Sequence, residues 1–384
     1  MKRLAPAFVL VAAVLTPSGS AWGDGCSPAQ CGLFSSTVPG SRYVVFRTNG
    51  DRGPLRVYDV LARRQVASLR PGMISADGRR FVTARVVERK RTLVTRYALP
   101  SGTRLSTVAL SGRYWLSAVS RGGRRVVLVK TGPPRTATTF EVLDGGRSVE
   151  RIRLRGRYDL ETLSPDGRRL FLVHWKNSGY DLRLYDLAAR RLRPTPTFEP
   201  DGGTEKMVGT AWRGVATRDG TWLLTLYLEG DGGFVHALDL RHAIGFCIDL
   251  PARGTLALGA SALTLSPDER FLYVASPVLG RIYTIDLRRP RLARVTRFEA
   301  WLGPDEVSFT TAPNAAVSPN GRMVYFNGNG LLWAYDTASH RVRGPYPARR
   351  LVMALAFTPD GRRVVAFGGD GGSTVLDAAT GRRG

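Results

Sequence analysis

One short turn recurs along this chain and limits what it can fold into more than any other feature. Its fullest form is Ser164-Pro165-Asp166-Gly167-Arg168-Arg169. Close copies are Ser75-Ala76-Asp77-Gly78-Arg79-Arg80, Ser266-Pro267-Asp268-Glu269-Arg270, Ser318-Pro319-Asn320-Gly321-Arg322 and Thr358-Pro359-Asp360-Gly361-Arg362-Arg363. Looser copies are Arg121-Gly122-Gly123-Arg124-Arg125 and Arg218-Asp219-Gly220. Anchored at Gly40, Gly78, Gly123, Gly167, Gly220, Glu269, Gly321 and Gly361, the turns are spaced by 38, 45, 44, 53, 49, 52 and 40 residues. Self-similarity at such a period marks a repeat architecture, in which each unit is one supersecondary structure stacked on the next.

The unit can be read from residues 159–199. An apolar run over 160–164 meets the turn, where Pro165 sets φ for the first corner and Gly167 accepts the positive φ that follows. A strand-like run over 169–174, a loop over 176–179 and an alternating run ending at Asp186 come next. Ala188-Ala189-Arg190-Arg191 turns the chain into a fourth strand. No segment shows helical periodicity. Four short strands per unit of this length predict an all-β chain folded as one β-propeller over residues 24–384. Eight anchors predict eight blades, and an irregular N-terminal unit would leave seven. The last unit supplies three strands, over 353–356, 363–367 and 373–376, so residues 24–33 are expected to add the outer fourth and cover the open edge.

The turn, a strand, a loop and then a strand ending in Asp resembles the repeats of TolB-like and YVTN-type β-propellers, relatives in shape of WD40 propellers. The strand ends that carry the resemblance are Tyr58-Asp59-Val60, Tyr185-Asp186-Leu187, Leu238-Asp239-Leu240, Ile285-Asp286-Leu287, Tyr335-Asp336-Thr337 and Leu376-Asp377-Ala378. Tyr97-Ala98-Leu99 departs from it by lacking the aspartate. The resemblance covers nearly the whole chain and implies architecture. It implies little about activity, because such propellers serve as enzymes, carriers and binding platforms.

Residues 1–23 read as a signal peptide: Lys2 and Arg3, an apolar stretch over 4–15, then Thr16-Pro17-Ser18-Gly19-Ser20-Ala21-Trp22-Gly23 before a cleavage point. The stretch is 12 residues long, too short for a spanning helix. An uncleaved anchor is the other reading of the same residues. No later run is long enough to cross a membrane, and the expected product is an exported, extracytoplasmic monomer. Export permits a disulfide, and Cys26 with Cys31 is the expected local pair. Cys247, in a strand-like run, is expected to be buried as a small hydrophobe.

The formal net charge is +25, and only five of the 56 basic residues are lysine. The arginine skew is first a codon-usage signature of a GC-rich genome. Whatever its origin, a field of this sign attracts polyanions. Nucleic acid is disfavoured as the partner, because export removes it and the turn arginines lack interleaved stacking aromatics.

In a four-stranded blade the first and third turns share one face of the disc. That places Arg79, Arg80, Arg124, Arg125, Arg168, Arg169, Arg362 and Arg363 on one basic face. The opposite face holds the middle loops and the crossings between blades. Two crossings resemble each other, Gly112-Arg113-Tyr114-Trp115 and Gly156-Arg157-Tyr158-Asp159. With Trp175, Trp301, Asp305 and Glu306 they form the candidate ligand set, able to stack on and pair with a sugar or anion. The two tyrosines can equally wedge between blades. Glu229 and Asp231 read as part of an ordinary Gly-rich turn, not a calcium loop. No catalytic residue, metal ligand or cofactor site is assigned: the sequence has no Gly-x-Ser-x-Gly elbow and no Cys-x-x-Cys-His. These readings favour a non-catalytic binding scaffold for an envelope protein or an anionic polymer or surface. A propeller enzyme of the lactonase or dehydrogenase-subunit type is the alternative.

Overall fold

The computed structural model describes residues 42–47, 55–88, 90–99, 102–131, 136–176, 179–194, 208–299, 314–348, 352–368 and 372–384. They form eight antiparallel sheets, six of four strands and two of three. The sheets stand in a ring, so the chain is an eight-bladed β-propeller. Inner strands of the second to eighth blades are Met73–Ile74, Tyr114–Val119, Arg157–Leu163, Thr210–Ala216, Ala262–Leu265, Ala315–Val317 and Val352–Phe357. Each begins its blade in sequence, and inner strands pack on their neighbours from the second blade to the fourth and from the fifth to the eighth.

The core is the set of faces between blades, as the alternation of side chains across each strand requires. In the third blade Leu128 and Leu143 face the second blade, whereas Val127 and Phe140 face the fourth. The ring closes where Val44, Tyr58 and Val60 of the first blade meet Ala354, Val365 and Phe367 of the eighth. There Tyr58 and Phe367 lie 4.8 Å apart.

The two three-stranded sheets are the first and last blades. In the first, Tyr43–Arg47, Leu55–Asp59 and Arg64–Leu69 pair in order. Val60 N donates to Arg42 O just as Leu187 N donates to Arg168 O, so these are the second, third and fourth strands of a blade. In the last blade the chain's own final residues begin the outer edge: Arg383 bridges Leu376, and Gly384 N donates to Val375 O. Residues 24–33, expected to supply that edge, lie outside the described residues, as do the signal segment, Cys26 and Cys31.

The recurring turn explains itself in hydrogen bonds. The Ser164 hydroxyl donates to Asp166 Oδ1 at 2.5 Å and accepts Arg169 N at 2.9 Å, and Asp166 Oδ1 accepts Arg168 N at 3.0 Å. Ser75, Thr217, Ser266, Ser318 and Thr358 repeat the first contact with the Asp or Asn two residues on. Successive turns also touch. Gly220 sits against Pro165, Gly321 against Pro267 and Gly361 against Pro319, and Arg218 N donates to Glu269 Oε1 at 2.7 Å. The turns therefore form a continuous interlocked ring from the second blade to the eighth.

One short helix joins two blades, and one expectation is corrected. A five-residue helix, Thr255–Gly259, occupies the crossing between the fifth and sixth blades. Cys247 is exposed, because on the outer strand Ile244–Asp249 it alternates with the buried Ile248.

Candidate functional site

Both arginine-rich sets of turns fall on one face of the disc, as four-stranded blades require. Their two arginines differ. In two of the pairs the second arginine leans on the next blade: Arg125 Nη1 donates to Gly167 O, and Arg169 Nη2 donates to Leu240 O and Arg241 O at 3.0 Å. The first of each pair, Arg79, Arg124, Arg168 and Arg362, is exposed. The turn aspartates do not neutralise them by contact. Hydrogen bonds from the Ser266 and Thr358 hydroxyls hold the Asp268 and Asp360 carboxyls below their ordinary range. The strand-end aspartates are similarly occupied, Asp186 Oδ1 accepting Ala188 N at 2.8 Å and Ala189 N at 2.9 Å. Among the described residues, Arg124 and Arg125 share Asp144, at 2.5 and 3.5 Å, while Arg79, Arg80, Arg168, Arg169, Arg362 and Arg363 form no ion pair.

On the opposite face the two look-alike crossings adopt the same arrangement. Thr92 Oγ1 donates to Gly112 O at 2.8 Å and accepts Tyr114 N at 3.0 Å. Thr138 Oγ1 donates to Gly156 O at 3.0 Å and accepts Tyr158 N at 2.9 Å. Tyr114 and Tyr158 are only 3% and 4% exposed, so both rings sit in the packing between blades. Trp115, on the same strand as Tyr114, is 47% exposed. Thr131 N donates to the carbonyl of Arg113 at 2.8 Å.

Arg157, Asp159 and Trp175 are brought together at the start of the fourth blade. Arg157 and Trp175 are register partners, and the guanidinium lies 4.9 Å from the indole centroid. Trp175 Nε1 donates to Asp159 Oδ2 at 2.5 Å. Tyr180 continues the row, 5.1 Å from Trp175 and 6.2 Å from Tyr227 of the fifth blade. Trp301, Asp305 and Glu306 lie outside the described residues. Asp231 accepts Gly254 N at 2.9 Å, which anchors the Gly-rich turn to the crossing after it.

Sequence reasoning missed the residue between these groups. The inner strand Arg157–Leu163 carries a β-bulge between Leu160 and Thr162, and Glu161 is the extra residue. Glu161 is 1% exposed, and neither carboxylate oxygen has a hydrogen-bond partner among the described residues. Burial, reinforced by Asp159, lifts its pKa to about 8. Burial also raises Tyr180 and Tyr227, each with a contribution from Glu161. At neutral pH the group is a protonated acid beside two neutral phenols. The available signal was a lone glutamate in the apolar run Leu160-Glu161-Thr162-Leu163. Among the described residues, no group of three or more His, Cys, Asp or Glu is arranged to hold a metal ion.

No protein-family model matches the chain, and no curated protein matches it. Solved structures share the fold. The Dos1 propeller is similar with a TM-score of 0.51 and 10% identity, over 87% of this chain and 88% of that one. The dihydro-heme d1 dehydrogenase NirN, in complex with DHE, is similar with a TM-score of 0.53 and 16% identity, over 91% of this chain and 73% of that one. Porphyromonas gingivalis dipeptidyl peptidase 4 gives a TM-score of 0.53 and 12% identity, over 93% of this chain and 59% of that one. At these identities the likeness defines a class, the β-propellers. That class holds proteins named as enzymes alongside a structure named only as a propeller, so function has to be argued from this chain's own residues.

Proposed function

We propose that this protein is an exported, non-catalytic propeller scaffold, of the TolB-like or YVTN-type kin its turns resemble, which docks an anionic partner on its turn face. The partner is an acidic envelope protein or an anionic envelope polymer. Residues 1–23 are the export signal and 24–384 the working domain in this reading. The observation that carries it is the state of the turn arginines. Arg79, Arg168 and Arg362 are exposed and without an ion pair among the described residues, while the neighbouring aspartates are held by hydroxyls and backbone N–H groups. These three exposed arginines, which no described carboxylate pairs, therefore offer their charge to a multivalent anion.

The test is retention of the chain lacking residues 1–23 on a phosphocellulose matrix, eluted from about 50 to about 500 mM salt, over which screening shortens from roughly 14 to 4 Å. Tight, salt-sensitive retention that falls in the Arg79→Gln/Arg168→Gln/Arg362→Gln triple variant is expected. Salt-insensitive retention, or equal retention of the variant, overturns the reading.

One observation favours a second reading, the enzyme. A buried carboxyl lifted to about 8 beside Asp159 and two tyrosines is the kind of group active sites use as a general acid. Turnover of a lactone panel that disappears in Glu161→Gln would support it. A panel without turnover would count against it.

A further inference from the structure

We infer that the third blade carries a separate pocket for a phosphate- or sulfate-bearing small molecule, on the side of the sheet that faces the second blade. It is a half-open surface cleft of about 440 Å³, lined by Lys130, Thr136, Ala137, Thr139, Arg151 and Arg153, of which all but Ala137 and Thr139 are exposed. Three strands build it. Lys130 ends the second strand Arg125–Lys130, Thr136 precedes the third strand Ala137–Asp144, and the arginines belong to the outer strand Arg147–Arg155. Register places Thr139 opposite Arg153 and Glu141 opposite Arg151, so all four side chains share one face of the sheet. Val142 and Ile152 point the other way, into the core against the fourth blade.

Two of the three cations lining the cleft have no ion pair among the described residues. Glu141 is the carboxylate nearest to it in the register, and it is already used: it is 1% exposed, it accepts the Arg151 Nε–H at 2.8 Å, and it accepts the Ser148 hydroxyl. Arg151 is thereby neutralised and fixed. Among the described residues, Lys130 and Arg153 form no ion pair. Two cations from different strands and two threonine hydroxyls thus face one space, and every other lining group but Ala137 is polar. Cations with hydroxyl donors are the chemistry that recognises a phosphate or sulfate oxygen. The volume exceeds a bare oxyanion and falls in the range of small-molecule sites, which fits a sugar-sized molecule carrying the anionic group.

The fourth blade shows what the same position looks like when filled. There His174 stands where Lys130 stands, each opposite a crossing tyrosine: Tyr158 with His174, Tyr114 with Lys130. His174 stacks on Tyr158 with centroids 4.2 Å apart and planes at 6°. In the third blade a flexible lysine replaces the stacked ring. A Cβ on Gly112 would lie 3.3 Å from Lys130 Cε, so the glycine gives that stem its room.

Isothermal titration of the whole chain with glucose 6-phosphate, inorganic phosphate, inorganic sulfate and glucose is the experiment. Glucose 6-phosphate is expected to bind more tightly than either inorganic anion, and glucose not to bind. The Lys130→Gln/Arg153→Gln double variant should weaken glucose 6-phosphate at least tenfold, equivalent to about 1.4 kcal/mol, while Lys130→Arg keeps the affinity. A thermal melt of each variant reports folding. Wild-type protein that binds none of the anions, or a folded double variant that binds as well as wild type, overturns the pocket. Phosphocellulose retention by the turn face is expected to survive the double variant, so either site can fail without the other.

Discussion

The turn face and the inner strand of the fourth blade solve the same problem, a carboxylate in a folded chain, in opposite ways. On the turn face each aspartate is surrounded by donors it needs. Asp166 takes a hydroxyl and a backbone N–H from within its own turn, and Asp360 does the same. At Glu161 the carboxyl is buried at a bulge with no donor among the described residues, against Asp159 and two phenols. The first arrangement is structural and is repeated in nearly every blade. The second occurs once among the described residues and is costly for a charged group to occupy. The difference teaches where to look for function in a repeat protein. A polar group that recurs with its partners builds the fold, whereas one that appears in a single blade without partners needs another explanation.

The sharpest way to break this comparison is through the crossing tyrosines, which recur in two blades but were also candidates for ligand contact. If they are structural, Tyr158→Ala should cost roughly 3–5 kcal/mol of stability, read as a loss in urea midpoint. Arg79→Ala, on the turn face, should change stability by less than about 0.5 kcal/mol. A Tyr158→Ala protein as stable as wild type would return Tyr158 to the ligand set.

The repeat and the blade were legible because Pro, Gly, Ser and Asp act through local backbone geometry, which one turn of sequence contains. The number of blades followed from the anchors alone. Side-chain roles were legible only where strand alternation predicts them. Arg125 and Arg169 read as free charges, but each reaches a carbonyl 42 or more residues away, which no local pattern encodes. Glu161 was missed because a bulge shifts its direction relative to simple alternation. The Lys130–Arg153 pocket was missed because register, not spacing, brings three strands together. Cys247 was misread because both faces of an outer strand carry apolar residues, and only the packing says which face is inside.

A smaller effect separates the two carboxylate environments by pH. The Glu161 pKa is raised, so its contribution to stability is full below its unfolded value of 4.5 and is lost as pH rises to about 8. Asp268 and Asp360 are lowered, so their contribution is present above the ordinary value of 3.8 and is lost as pH falls. His236, buried and lowered from 6.5 to about 4, also weakens the fold on acidification. Glu161→Gln should therefore match wild type near pH 5 and exceed it by roughly 2–4 kcal/mol near pH 9. The acid limb should not change. Denaturant melts at both pH values check this, and a variant with no gain at pH 9 would mean that Glu161 has a partner when charged.

The smallest effect isolates the interlock between turns from the turn itself. Gly78 and Gly123 both hold positive φ, at 69° and 67°, so alanine is strained equally at either. They differ in surroundings. A Cβ on Gly78 meets nothing within 4 Å, whereas one on Gly123 lies 2.4 Å from Arg80 Cβ of the preceding blade. Gly78→Ala should cost about 1 kcal/mol for backbone strain alone. Gly123→Ala should cost about 2 kcal/mol, the increment being the displaced contact between blades. In the Arg80→Gly background the two costs should converge, because the side chain that opposes the new methyl is gone. Equal costs in the native background would mean that the turns are stable singly and that the ring of turns adds nothing to the closure of the propeller.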